Sequence, residues 1–286
     1  IYNENFFAPV WGIALNYDIL VNGKSVKTGS EGMRGVRLVP QGRARMEIPA
    51  VAEAMANAEY NGKEIALTIN YALVRPEGLL DAGEVIASEQ FVLTNYSFPK
   101  VEDVAAQPVV DKKAKAPAPS VSVDKRIAYA VLEANGVKVT FADENGFISY
   151  IDVDGKPMMY EGAQLLPDFW RAPTDNDYGA GMQNRLAVWQ NPRLKKTSFD
   201  IKADGVNQVV TTTYDVERTG ATLAITYTMT PKGQLIVTQA MTVDKDTKEK
   251  PQLLRYGMKM QMPKDFTQIE YYGKGPQENY IDRNHW

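Results

Sequence analysis

The sequence has no cysteine and a single histidine in 286 residues, and both shortages exclude chemistry. Without cysteine the chain forms no disulfide, no thiolate zinc or iron–sulfur site and no cysteine nucleophile. His285 stands next to the last residue, where an imidazole is rarely held in a packed pocket. A Ser-His-Asp triad and a two-histidine zinc site are therefore not expected.

An excess of positive charge and long apolar runs are also missing. Lys and Arg number 32 against 35 Asp and Glu, a formal charge of −3, so no global field attracts nucleic acid or anionic lipid. The longest uncharged runs, Asn5–Tyr17 and Thr219–Pro231, fall well short of the roughly 18 to 20 apolar residues that span a bilayer. We expect neither nucleic acid nor a membrane as partner.

The start of the chain indicates its origin. It begins with Ile1 and shows no basic region followed by an apolar region and a small-residue cleavage site. We expect a piece of a longer protein, and its compartment, cytoplasm or periplasm, is left open.

Composition divides the chain into three parts. Residues 99–122 are rich in proline, alanine and charge and contain no aromatic residue, which is typical of an extended linker. We predict one domain over residues 1–98 and a second over residues 123–286.

In the first unit the apolar residues alternate with a period of two, as in half-buried strands. Tyr17, Ile19 and Val21 alternate just before Asn22-Gly23, a strong signal for a two-residue hairpin turn. Further elements are predicted as strands at 44–48, 67–73 and 90–96, and as a short helix at 51–58. About seven short strands in under 100 residues favour an immunoglobulin-like or fibronectin-like β-sandwich.

Longer alternating strands continue in the second unit. Residues 223–229 and 235–241 are joined through Pro231-Lys232-Gly233, and their threonine and apolar side chains on both faces predict a strand pair inside a large sheet. Asp154-Gly155 predicts another hairpin. The whole chain is thus predicted to be all-β, in two sandwich-like domains.

One segment of the second unit concentrates groups suited to a sugar. Residues 168–179 read DFWRAPTDNDYG, in which an aromatic pair and an arginine accompany three carboxylates. Aromatic faces stack on the apolar side of a pyranose, and carboxylates accept hydrogen bonds from its hydroxyls. The structural alternative is that Asp175, Asn176 and Asp177 cap and turn the chain while Arg171 pairs internally with a carboxylate. The spacing does not meet that of an EF-hand calcium loop.

A second candidate segment, residues 271–283, reads YYGKGPQENYIDR. Its glycines resemble half of a phosphate loop only superficially, because no helix signal follows. Glu278 and Asp282 are a candidate acid/base pair, and turn hydrogen bonds to Arg283 are the alternative.

Aromatic residues near the start form a third candidate. They are predicted to lie in the sandwich core or to contact another domain, with an exposed sugar platform as the alternative. These residues are Tyr2, Phe6, Phe7, Trp11 and Tyr17.

Two of these segments closely resemble signature stretches of a known family. FWRAPTDNDYGAGM at residues 169–182 and YYGKGPQENYIDR at residues 271–283 are similar to stretches in the C-terminal domain of the large bacterial β-galactosidases of glycoside hydrolase family 2. FADENGFISYIDVDGKPMM at residues 141–159 resembles the opening hairpin of that domain.

The first unit resembles the β-sandwich that precedes that domain in the family. The resemblance rests on ENFF at residues 4–7, YDILVNGKSVKTG at 17–29 and LVPQGRARMEIP at 38–49. It thus covers nearly the whole chain except the linker.

The resemblance implies a fold and a division of labour. The fold is an immunoglobulin-like β-sandwich followed by a truncated galactose-mutarotase-like large β-sandwich. In the family, an upstream (β/α)₈ barrel carries both catalytic glutamates of a retaining double displacement. The resemblance therefore implies a non-catalytic C-terminal fragment of a β-galactosidase, with no catalytic residue, metal or cofactor of its own. It allows magnesium and sodium as ions of the parent enzyme. The implied partners are β-galactosides and the upstream barrel domain, and the resemblance also allows a homo-oligomer of the parent.

No functional role in the family is carried over onto the two signature segments. We expect them to support the rim of the parent's site, with loops tied together by charge-assisted hydrogen bonds. The candidate rim or support residues are Trp170, Arg171, Asp175, Asn176, Asp177, Glu278, Asn279 and Arg283.

Two other functions compete with this interpretation. One is a free-standing carbohydrate-binding β-sandwich module, which requires a sugar platform on one of the domains. The other is an aldose epimerase, since the family's C-terminal domain resembles the mutarotase fold and fold does not fix function. Mutarotases use histidines with a glutamate, a set that His285 alone cannot supply.

Overall fold

The computed structural model of the chain describes residues 1–32, 37–98, 122–125, 129–248, 250–271 and 273. Every strand pair among these residues is antiparallel, and the helices are few and short, which confirms the all-β class. The described residues group into two compact units, one containing residues 1–98 and the other residues 122–270. Of the predicted linker, only Ser122 belongs to the described residues.

Unit 1 is built on a four-stranded sheet. Its strands are β1 (Ile13–Val21), β2 (Lys24–Gly32), β3 (Ile65–Leu73) and β4 (Val85–Thr94), in the order β2-β1-β3-β4. Helix α1 (Pro49–Ala56) and a 3₁₀ turn (Ala58–Tyr60) lie between β2 and β3 in the chain.

The predicted hairpin at Asn22-Gly23 is confirmed. Asn22 has φ 46° and Gly23 has φ 76°, so both central residues lie in the left-handed region that a type I′ turn requires. Asparagine and glycine tolerate this region best, and the turn therefore follows directly from the two residue types.

The predicted strand at 44–48 is wrong, and four strands replace the expected seven or so among the described residues of unit 1. The segment bonds only sparsely to the start of the chain. Ala44 N–H donates to Ile1 O at 2.9 Å, the Ile1 ammonium donates to Ala44 O at 2.7 Å, and an isolated bridge joins Tyr2 and Arg43. Alternation makes a segment extended, but a strand also needs a continuous partner.

The core of unit 1 lies between the sheet and α1. Leu15 and Ile19 of β1 are at most 1% exposed, and they pack with Leu67 of β3 and Ala54 of α1. Pro49 opens α1, where its missing N–H is no loss. One helix therefore covers one face of the two central strands.

Unit 2 contains two larger sheets and a two-stranded one. The five-stranded sheet has the order β5 (Ser122–Lys125), β6 (Tyr129–Ala134), β7 (Val137–Ala142), β8 (Ile148–Val153) and β9 (Lys156–Pro157). The four-stranded sheet has the order β11 (Leu194–Asp204), β12 (Asn207–Val216), β13 (Ala221–Met229) and β14 (Leu235–Val243). The short pair is β10 (Leu166–Asp168) with β15 (Gly257–Lys259).

Short helices follow β10. They are α2 (Asp175–Gly179), α3 (Met182–Arg185) and a 3₁₀ turn (Ala187–Trp189). No helix in the described ranges combines the length and the hydropathy that crossing a membrane takes.

The two predicted hairpins of unit 2 are confirmed. Asp154 (φ 51°) and Gly155 (φ 83°) join β8 to β9, and the turn through Gly233 joins β13 to β14. A Cβ at Gly233 would lie 2.8 Å from Ala134 O, so only glycine fits there. The prediction that the strand pair now seen as β13 and β14 lies inside a large sheet is wrong for β14, which is an edge strand among the described residues.

Aromatic rings join the two large sheets of unit 2. Phe141 of β7 meets Tyr227 of β13 edge-to-face, with ring centroids 5.1 Å apart, and Phe147 stacks on Tyr214 at 4.9 Å. The Tyr214 hydroxyl donates to Asn145 O at 2.8 Å, whereas the Tyr227 hydroxyl is buried without a partner among the described residues. Burial raises the pKa of both tyrosines, which remain neutral.

Candidate functional site

The first signature segment begins where β10 ends. Asp168 pairs with Gly257 of β15, and its carboxylate lies 3.6 Å from the Arg255 guanidinium. The next residue, Phe169, is 1% exposed and contacts two rings, Trp189 at 5.6 Å and Tyr256 at 5.7 Å between centroids. The segment is thereby anchored on the core before its polar part begins.

Trp170, a predicted rim residue, is half-buried. It packs against the main hydrophobic core of unit 2. Part of its indole is thus used for packing, and only the remainder is accessible to a ligand.

Arg171 and Asp177 form a two-pronged ion pair, here called the clasp. Arg171 donates from Nη1 to Asp177 Oδ2 at 2.5 Å and from Nη2 to Oδ1 at 2.9 Å. The side chains are 28% and 17% exposed. Parallel N–H···O bonds of this kind are among the stronger protein hydrogen bonds because both partners are charged and the geometry matches. The clasp closes residues 171–177 into a loop.

Thr174, the residue before helix α2, supplies further donors to the Asp177 carboxylate. Thr174 lies directly before the helix, and Asp177 Oδ2 accepts from its backbone N–H at 2.8 Å and from its hydroxyl at 2.9 Å. The Arg171 hydrogen bonds, aided by those from Thr174, hold the pKa of Asp177 well below its usual range. Asp177 is therefore a fixed anion that cannot donate a proton near neutral pH.

The neighbouring polar residues do not join the clasp. Asp175 and Asn176, in the first turn of α2, expose their side chains to solvent, as does Tyr178 at 55%. The structure thus brings Arg171 and Asp177 together within one loop, and it leaves Asp175 and Asn176 apart from them.

The second signature segment lies almost wholly outside the described residues. Glu278, Asn279 and Arg283, like Asp282 and His285, fall there, so their predicted roles stay predictions. Within the described ranges, no three His, Cys, Asp or Glu side chains group closely enough to hold a metal ion.

Thr174 is the residue of the candidate site that sequence reasoning did not single out. Its hydroxyl and amide complete the set of donors around Asp177. The signal was present: Thr174-x-x-Asp177 follows the [ST]-x-x-[DE] pattern of a helix start, in which the acidic side chain reaches back to the residue before the helix.

The aromatic residues near the chain start are divided. Tyr17 packs against the core of unit 1, whereas Phe6 and Phe7 are 75% and 95% exposed, so assignment to the sandwich core is wrong for these two. Trp11 is half-exposed, and the Arg75 guanidinium lies over its ring at 3.4 Å from the centroid.

Two family models match the chain, one on each unit. The model described as β-galactosidase, domain 4, matches residues 1–94, and the model of the β-galactosidase small chain matches residues 133–285. The second match takes in both signature segments.

Curated relatives carry the same name. A β-galactosidase of Priestia megaterium is 27% identical over 98% of this chain and 25% of its own length. One of Vibrio vulnificus is 26% identical over 99% of the chain and 27% of its own length. One of Lactobacillus delbrueckii subsp. bulgaricus is 35% identical over 53% of the chain and 15% of its own length.

The chain thus spans about a quarter of the length of the relatives that match it throughout, in their C-terminal portion. The match to the small-chain model extends over more than half of the 286 residues. This chain belongs to the β-galactosidase small chain family.

Proposed function

We propose that this chain is a non-catalytic part of a β-galactosidase, which hydrolyses terminal non-reducing β-D-galactosides with a retaining pair of carboxylates located outside these residues. The names of the relatives support the substrate class. The chain's share of their length supports a larger parent that supplies the reacting groups.

The clasp carries the proposal. A retaining glycosidase needs one free carboxylate as nucleophile and a protonated partner about 5–5.5 Å away as acid. Both Asp177 oxygens are engaged by Arg171, and Oδ2 also by Thr174. Its lowered pKa excludes the acid role, and its hydrogen bonds oppose nucleophilic attack. Asp177, the carboxylate with the most hydrogen bonds in the first signature segment, thus serves to hold the loop of residues 171–177.

The function of that loop is support. The clasp, Phe169 and the Asp168–Arg255 pair fix the backbone of the segment at three points. A rigid loop of this kind positions exposed groups, here Asp175, Asn176 and the free part of Trp170, at the edge of a site formed with other segments of the parent. Magnesium and sodium find no ligand cluster among the described residues, and no step of the proposal uses them.

Turnover of an aryl β-galactoside tests the proposal. We expect none from the purified 286-residue chain and normal turnover from a longer form of the protein extended upstream to the length of its relatives. Turnover by the short chain that disappears in an Asp175→Asn variant, and survives in a Lys202→Gln control, would contradict the proposal and place the chemistry in the signature segment.

The exposed aromatic pair favours a second candidate, a carbohydrate-binding module. Phe6 and Phe7 lie 6.3 Å apart between centroids and present their rings to solvent, as sugar platforms do. Saturable binding of galactose or lactose to the isolated chain, lost in a Phe6→Ala/Phe7→Ala variant, would favour this candidate. Binding unaffected by that variant would exclude the platform.

A further inference from the structure

A pocket of about 620 Å³ opens in unit 2, and no residue of the clasp lines it. Four cationic side chains surround it: Arg185, Arg193, Arg218 and Lys250. Glu217 is the one carboxylate among the residues that line it. In a chain with a formal charge of −3, this concentration of positive charge is a local exception.

The pocket is assembled from separate stretches of chain. Arg185 is the last residue of α3, Arg193 directly precedes β11, and Arg218 lies in the turn between β12 and β13. The Glu217 N–H donates to Arg193 O at 3.1 Å, which fixes the turn against the start of β11. Residues from separate stretches of the chain therefore line one pocket.

Among the described residues that line the pocket, Glu217 leaves most of this positive charge uncompensated. Glu217 Oε2 lies 3.9 Å from Arg193 Nη1, at the outer limit of an ion pair, and the Arg193 side chain is 82% exposed. A weak pair of this kind does not neutralise Arg185, Arg218 and Lys250 as well.

Arg218 occupies an unusual backbone conformation. Its φ of 67° lies in the left-handed region, which glycine adopts freely and a long side chain rarely does. Glycine at this position would keep the turn and remove the guanidinium, so the residue offers a charge-removing substitution that does not oppose the fold.

We propose that this pocket binds a small anion that carries two or more phosphate groups. Its volume is large enough for such an anion, and the pocket is open to solvent. Guanidinium groups match phosphate oxygens with paired N–H donors, and several cations favour a ligand with several negative charges. Asn184 and Asn191, also in the lining, add neutral donors for the remaining oxygens. Binding of this anion is independent of the β-galactosidase assignment.

Titration calorimetry of the 286-residue chain with inorganic pyrophosphate at low salt tests the proposal. We expect saturable binding at one site that weakens as salt is raised, because charge pairing dominates it. Arg218→Gly should weaken binding about tenfold or more with an unchanged melting temperature, and Arg193→Gln should act in the same direction. Lys202→Gln, which removes an exposed charge on β11 outside the lining, should leave affinity within about twofold.

Three outcomes would overturn the proposal. The first is no saturable heat with pyrophosphate. The second is equal loss of affinity in Arg218→Gly and Lys202→Gln, which indicates general charge attraction. The third is preference for citrate or for an acidic peptide over pyrophosphate, which assigns the pocket to carboxylates or to a protein partner. Inorganic phosphate, with a single phosphate group, should bind more weakly than pyrophosphate.

Discussion

Strands β13 and β4 are both more than half apolar but lie in opposite environments. On β13, Leu223, Ile225 and Tyr227 are fully buried between the two sheets of unit 2. On β4, Ile86 and Val92 are 44% and 51% exposed, although this strand is also largely apolar and carries a single charge. Consecutive residues of a strand face opposite sides, so the exposure of both Phe91 and Val92 means that neither side of β4 is fully covered there.

The difference shows that an apolar strand does not create its own core. Burial of β13 depends on a second sheet that presents Phe141 to it, whereas in unit 1 the buried residues of α1, Ala50 and Ala54, share a core with the central strands β1 and β3. The apolar pattern of a strand predicts that another element packs against it, but it does not identify that element.

The strongest test exchanges isoleucine for alanine on the two strands. Ile225→Ala should lower the free energy of unfolding of unit 2 by about 2–5 kcal/mol, since it opens a cavity in a closed core. Ile86→Ala should cost less than about 1 kcal/mol in unit 1, because much of the side chain is already in water. Urea unfolding of both variants measures this, and equal losses would remove the contrast.

A second test carries the comparison to ion pairs. Arg171→Ala should lower the unfolding free energy by more than about 1.5 kcal/mol, because it leaves a shielded carboxylate without its partner. Arg45→Ala should have almost no effect, since Arg45 and Glu47 are 89% and 80% exposed. In the longer form of the protein, activity should be lost through folding; lost activity with unchanged melting would refute a purely supporting role.

Acid titration gives a third test, on Asp177. The pKa of this carboxyl is lowered in the folded state, mainly by Arg171, so its contribution to stability is complete above about pH 5. The contribution is lost as the pH falls through the usual aspartate range toward the lowered value. Asp177→Asn should therefore lose less stability than the unchanged chain between pH 5 and pH 3, roughly the range of aspartate protonation. If urea unfolding gives the same dependence of stability on pH for the unchanged chain and for Asp177→Asn, the clasp does not form in solution.

The smallest effect separates two buried hydroxyls within unit 2. Tyr214→Phe removes a hydrogen bond to Asn145 O and should destabilise by about 1 kcal/mol. Tyr227→Phe removes a buried hydroxyl without a partner in the described structure and should be neutral or stabilise by about 1 kcal/mol. Thermal melts should thus show a lower melting temperature for Tyr214→Phe and an unchanged or higher one for Tyr227→Phe. A lower melting temperature in both variants would show that the Tyr227 hydroxyl is bonded.

Local features of the fold were predictable from the sequence, and non-local ones were not. The turns at Asn22-Gly23 and Asp154-Gly155 were predictable because asparagine, aspartate and glycine tolerate a positive φ better than other residues do. Residues 44–48 alternate as a strand should, but their partner at the chain start makes only isolated bonds, a fact that no local pattern contains.

The candidate site shows the same limit. The sequence indicated that Arg171 could pair internally with a carboxylate, but several carboxylates lie nearby. Because α2 starts at Asp175, Asp177 is the carboxylate that pairs with Arg171. Arg255 and Tyr256, which anchor the segment, lie some 90 positions further along the chain, so periodicity could not connect them to Asp168 and Phe169.

The clasp also has a consequence for the time course of folding. It joins residues six positions apart, and closing a loop of such length takes on the order of 10–100 ns. The pairing of β10 with β15 must wait until Gly257 has been synthesised. The clasp can therefore close while the nascent chain is still growing, before β15 pairs with β10.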